Sequence, residues 1–224
     1  MNTRGLLDQL LKSGQELLNK SSASGKPGAG ASGLGGLLSG AGGGLLGGGA
    51  LGVLLGNKKA RKYGGKALTY GGLAALGVLA YKAYGNWQAS QQVAASEPQT
   101  VDRLPPAQVE QHSQAVLRAL VAAAKSDGHI DEREGALIEG EFPRLDSDRE
   151  LQHWLHAELN KPLDPADVAR AASTPEMAAE MYLASVMLVD EEHFMERAYL
   201  DELARQLRLD PGLKGELERQ VRTI

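Results

Sequence analysis

Hydrophobic positions change their rhythm twice along this chain. Residues 5–18 place Leu6, Leu7, Leu10, Leu11, Leu17 and Leu18 at helical spacing, with Asp8, Lys12 and Glu16 between them, which predicts a short amphipathic helix. Residues 21–33 have linker composition, so 1–27 reads as a leader and linker. Residues 28–56 then carry no charge over 29 positions. A second uncharged run, 67–81, is broken by Lys82 and flanked by Tyr81, Tyr84 and Trp87. Residues 88–107 are polar and contain proline, the composition of a linker. From 108 onward helical period takes over, as in Val116, Leu117, Leu120 and Val121, and again in Met177, Met181, Ala184, Val186, Met187 and Leu188. No segment alternates like a strand. The pattern predicts an all-α chain whose 108–224 domain holds seven helices.

Start signals sharpen that reading. Pro106 opens a helix near 107–125. Asp131 with Glu134, and Ser147 with Glu150, fit capping boxes. Asp164-Pro165, Thr174-Pro175 and Asp210-Pro211 each set a capping residue before a proline at the first helical position.

The 28–56 run contains 14 glycines, too many for a helix in water, where each glycine costs up to about 1 kcal/mol. Their placement matters, however. Gly36, Gly40, Gly44, Gly48, Gly52 and Gly56 follow one another every four residues, which puts them on one helix face. A second backbone can then approach closely, as in small-residue packing between membrane helices. Two readings stand here: a membrane or oligomerisation helix, which pairs with itself or with a partner helix, and a flexible glycine linker. Tyr81, Tyr84 and Trp87 would form an interfacial aromatic belt beside the second run. The 28–87 region is then one span or a helical hairpin around the basic loop 57–66, with the second run crossing or lying in the interface. Positive residues favour the cytoplasmic side for that loop. A single span at 36–56 keeps the C-terminal domain inside, and one at 67–87 places it outside.

Charge divides the chain in the same way. Residues 1–90 hold ten Lys/Arg against two Asp/Glu, and 91–224 hold fourteen against twenty-six. A basic segment suits an anionic lipid surface, and so acidic a domain is a poor nucleic-acid binder. There is no cysteine, which excludes disulfides, thiol catalysis and cysteine zinc sites. No cleavable signal peptide is expected from the first 27 residues. Glycine strings in 28–56 follow no strand, and phosphate-loop, nucleophile-elbow and HExxH signatures are missing, so no enzyme is expected.

Two acidic turns remain: Ser126-Asp127-Gly128-His129-Ile130-Asp131-Glu132-Arg133-Glu134 and Asp190-Glu191-Glu192-His193-Phe194-Met195-Glu196. Both run from an apolar helix through an acidic turn with a histidine to an acidic helix start. Asp127, Asp131 and Glu134 offer oxygen ligands to a hard cation such as Ca²⁺ or Mg²⁺. The EF-hand spacing fails, since Glu132 stands where glycine is required. Gly128 as a helix end, Asp131 as a cap and Glu134 as the box partner explain the same residues without a metal. His129, His193, His153 and His156 read as solvated histidines.

The string KSDGHIDEREGALI resembles the TerB-like domain associated with tellurite resistance. Its pairing with VDEEHFMERAYLDELARQLRLD behind a Gly-rich segment is similar to YebE-type bacterial inner-membrane proteins, over about 33–224. The resemblance implies a helical bundle with both acidic loops on one side, at the bacterial inner membrane. It also implies an interaction or cation-sensing module in envelope stress or tellurite resistance, with Asp127, Asp131, Glu134, Asp190 and Glu196 as the acidic set. The second loop lacks the glycine that follows Asp127 in the first. A metal-binding resistance protein using both loops is the competing expectation.

Overall fold

The computed structural model describes residues 3–5, 7, 73–91, 97–126, 149–189 and 193–223. Seven helices have both ends among them, and no strand occurs among them. These are α1 (Leu73–Gln91), α2 (Pro106–Ala124), α3 (Arg149–Asn160), α4 (Pro165–Ala169), α5 (Pro175–Leu188), α6 (Phe194–Gln206) and α7 (Pro211–Arg222).

Local chemistry sets most of these boundaries. Four helices begin on proline, whose missing N–H falls where a helix has no use for it. The residue before it supplies the cap in three of them. Asp164 accepts from Ala166 N–H at 2.8 Å, Thr174 Oγ1 from Met177 N–H at 3.1 Å, and Asp210 from Gly212 N–H at 2.8 Å. Each such cap is worth about 1 kcal/mol.

The bundle is built around α5. Eleven of its fourteen residues are buried, so it has no solvent stripe and needs neighbours all round. It packs on α1, α2, α6 and α7, most extensively on α2. Alanines 115, 119, 122 and 123 of α2 are all buried, and side chains this small let two helices lie close. Arg118 on α2 meets Glu158 on α3 at 2.8 Å. Lys125 donates to the carbonyls of Glu158 (3.2 Å) and Lys161 where α3 ends.

Helix α1 departs from the sequence reading. Residues 67–87 were expected to cross or lie in a membrane, with the helical domain starting near 108. In the described part, 73–91, the chain forms a helix of the bundle itself. Leu73, Leu76, Gly77, Ala80, Ala83 and Tyr84 form its buried stripe, packed on α5 and α7. The aromatic residues serve the same packing instead of an interfacial belt. Tyr84 is buried, and Trp87 Nε1 donates to Asp210 at 2.9 Å. Asn86 donates to Glu216 at 2.6 Å, and the Arg103 guanidinium lies 3.9 Å above the Tyr81 ring. A run of small and apolar residues looks the same whether lipid or protein covers it. Among the described residues no helix is long and apolar enough to cross a membrane. The series Gly36 to Gly56 and the loop 57–66 lie outside them.

Part of the leader also joins the bundle. Residues 3–5 and 7 are helical, and Leu7 is fully buried. Glu110 on α2 accepts from Thr3 N–H (2.7 Å), Thr3 Oγ1 (2.6 Å) and Arg4 N–H (3.3 Å). A carboxylate placed at the free N–H groups of a helix start is favourable on both hydrogen-bonding and dipole grounds.

Gly77 is where α1 touches the segment leading into α2. A methyl group added there would lie 2.4 Å from Asp102 Oδ1 and 2.9 Å from its backbone nitrogen. Gly77→Ala is expected to destabilise the chain by about 1–3 kcal/mol through overpacking, read by denaturant melts. An unchanged midpoint would show that this contact is not tight.

Candidate functional site

Of the residues singled out in the sequence, Asp127, Asp131, Glu134 and Asp190 lie outside the described residues, as do His129 and the glycine series. Glu196 is described. It is buried in the first turn of α6, where a carboxylate offsets the helix dipole. His153 and His156 are exposed on α3, where Asn160 Nδ2 lies 3.3 Å from His156 Nε2, and His193 is exposed as the residue before α6. Among the described residues no group of three or more His, Asp or Glu side chains is placed to hold a metal.

The structure instead brings together a pair that sequence reading passed over. Glu180, at the middle of α5, is 0 % exposed and His112 on α2 is 4 % exposed. Glu180 Oε2 lies 2.7 Å from His112 Nδ1, and its Oε1 accepts the backbone N–H of Val101 at 2.6 Å. Val101 belongs to the strap, residues 97–105, that joins α1 to α2. Thr100 Oγ1 donates to Asp102 at 2.6 Å, and Arg103 pairs with Glu97. One carboxylate thus ties α5, α2 and the strap together. Burial raises the Glu180 carboxyl above its ordinary value of 4.5, and the nearby Asp102 charge adds to this. The hydrogen bonds from His112 and Val101 work against it. Burial likewise raises the Tyr84 phenol, with Glu176 and Glu180 contributing.

A groove of about 600 Å³ opens elsewhere on the bundle. Tyr84 and Trp87 of α1 form one side. Ala169 of α4, Ala178 of α5 and Leu213 of α7 line it further, and Arg170 and Arg208 also border it. The size is typical of a small-ligand or side-chain site. Arg170 bonds Asp167 at 2.6 Å. Arg208 has φ 54°, in the left-handed region, because it ends α6 in a Schellman turn. Arg208 N–H reaches Arg205 O at 3.1 Å and Leu209 N–H reaches Ala204 O at 3.1 Å. Glycine is the usual residue at that position.

Signals for these features were present but weak. Glu180 is the one carboxylate between Met177 and Leu188, and His112 stands at helical spacing between Val109 and Val116. Nothing in the sequence pairs residues 68 positions apart.

The family described as "Protein of unknown function (DUF533)" matches residues 40–221. The "Uncharacterized protein in ampR 5'region" of Yersinia enterocolitica is 33% identical over 126 residues, covering 56% of this chain and 89% of that relative. No solved structure matches the chain.

Because its folded value is raised, Glu180 holds its proton more tightly in the folded state than in the unfolded one. That contribution is fully present below the ordinary glutamate range and is lost as pH rises through the elevated value. Wild-type stability relative to Glu180→Gln should therefore decline as pH climbs upward from about 4.5. Denaturant midpoints across that range test this, and a constant difference would show that Glu180 does not titrate there. Glu180→Ala should cost about 3–5 kcal/mol, since it strands a buried partner. At the other site, Arg208→Gly should stabilise the fold by about 1 kcal/mol, seen as a higher melting temperature. A fall would mean that the Arg208 side chain stabilises the turn.

Proposed function

This chain belongs to the DUF533 family, which is TerB-like in structure, and on that premise we propose that it is a non-enzymatic protein of the bacterial inner membrane whose acidic helical domain acts as an interaction module. The observation that carries this reading is the place of α1. It follows the glycine-rich apolar segment and the basic loop 57–66 in sequence, and it is an integral wall of the bundle, held by Trp87–Asp210 and Asn86–Glu216. A bundle attached in this way stays close to whatever the glycine-rich segment is embedded in. The basic loop between them suits an anionic lipid surface. The acidic domain then presents its surface to partners, in a setting that the TerB likeness suggests is envelope stress or tellurite resistance.

The cation-binding alternative draws on Asp127, Asp131, Glu134 and Asp190, which lie outside the described residues, and on Glu196, whose place in the first turn of α6 is explained by helix chemistry. A rise in melting temperature on adding Ca²⁺ or Mg²⁺ would favour it.

Membrane attachment is tested by carbonate washing of membranes from cells making the full chain. Retention in the pellet is expected, and release into the wash would overturn the reading. Two truncations extend the test. A chain starting at residue 70 keeps α1 and should be soluble and helical. One starting at 90 loses the wall over α5 and α7 and should aggregate or melt at markedly lower temperature. Equal behaviour of the two would remove α1 from the domain.

A further inference from the structure

The groove of about 600 Å³ joins an aromatic wall to a polar one. Tyr84 and Trp87 meet nearly at right angles, with ring centroids 5.9 Å apart and planes at 86°. Trp87 is half-buried, so part of its ring stays open to whatever enters. Such a corner offers ring faces and edges to a flat apolar body. The polar wall includes the start of α5, at Ser173 and Thr174, and Arg208 just past the end of α6. Its acceptors are largely used up. Asp210 receives Trp87 Nε1 and the N–H groups of Gly212 and Leu213 on one oxygen, and Thr174 Oγ1 receives the Met177 N–H. Arg170 is already paired with Asp167. What remains unmatched is donors. The Tyr84 side chain is 6% exposed, and among the described residues its hydroxyl has no hydrogen-bond partner. Burial keeps the proton on that phenol, so it stays a donor. The Arg208 guanidinium has no partner among the described residues either. Ser173 N–H and Oγ reach only the Met177 sulfur, at 3.4 and 3.8 Å, a weak acceptor.

A buried phenol without an acceptor is costly, and one that borders a groove is satisfied by an acceptor entering it. Arg208 points the same way. Its φ of 54° suits glycine and strains arginine, so a cation is kept at this wall at some loss of stability. Free donors and a cation at the start of a 14-residue helix suit an anionic group. Phosphate fits best, because it offers several acceptor oxygens and matches the arginine fork. We propose that the groove binds a small phosphorylated compound carrying a flat ring, with the phosphate toward Arg208 and Ser173 and the ring in the Tyr84–Trp87 corner. The Tyr84 hydroxyl then donates to an acceptor on the ligand. A mononucleotide is of this kind, and the groove is of the size that small ligands occupy. This site goes beyond a surface for protein partners and does not depend on how the chain is held at a membrane.

Adenosine monophosphate is the probe, added to the full chain, with adenosine and inorganic phosphate as its two halves. The chain has two tryptophans, Trp87 and Trp154, so Trp154→Phe leaves the groove's own as sole reporter. The nucleotide should change that fluorescence saturably, at a midpoint about tenfold or more below that of either half. Arg208→Gly should raise the midpoint about tenfold or more. Because this substitution relieves the backbone, lost binding at an equal or higher melting temperature cannot be put down to unfolding. Tyr84→Phe, which removes only the hydroxyl, should raise the midpoint about threefold or more. No saturable change, a nucleotide midpoint no lower than that of phosphate or of adenosine, or a midpoint unmoved by Arg208→Gly or by Tyr84→Phe would each overturn the proposal. The titration reads the same on detergent-solubilised chain or on chain released by carbonate, so failure of the membrane reading stays separate from failure of this one.

Discussion

A carboxylate shut away from water is tolerable only where donors reach it, and Glu180 is reached from two directions. His112 approaches from α2 and the Val101 N–H from the strap, at 2.7 and 2.6 Å. Each bond fixes the position of an element whose contact with α5 is otherwise largely apolar, the Ser185 hydroxyl at 3.5 Å from Ala119 O being a weaker polar contact. Apolar contact is non-directional and by itself leaves the register of α2 on α5 only loosely specified. The hydrogen-bonded centre removes that freedom, because any slip leaves a buried acceptor unmatched. One side chain thus bears on both the register of α2 on α5 and the course of the strap.

The strap in turn governs α1. Asp102 sits against Gly77, and Arg103 covers Tyr81. At its other end α1 is held through Trp87 and Asn86 to the start and middle of α7. Two independent fastenings along 19 residues define the helix's orientation about its own axis as well as its position.

Much of the C-terminal architecture could be read from the sequence, because its signals are local. Asp164-Pro165, Thr174-Pro175 and Asp210-Pro211 each start a helix, as their capping chemistry requires, and the apolar run 177–188 became the central helix. What could not be read is non-local. The glycine and alanine content of 73–83 satisfies a lipid environment and a tight protein contact equally well, and only the positions of α5, α7 and Asp102 distinguish them. The pairing of His112 with Glu180 depends on how α2 and α5 dock. Arg208 took a position where pattern reading expects glycine, so the end of α6 carried no sign of the groove beside it. Of the acidic set, Glu196 alone falls among the described residues, buried in the first turn of α6.

The hold of Glu110 on Thr3 and Arg4 has a topological consequence. Thr3 and Leu73 belong to one body, so the chain between them begins and ends on the same side of any bilayer. Crossings made in that interval must be even in number. Two full crossings need about 40 apolar residues, and the longest uncharged stretch before α1 is the 29 of residues 28–56.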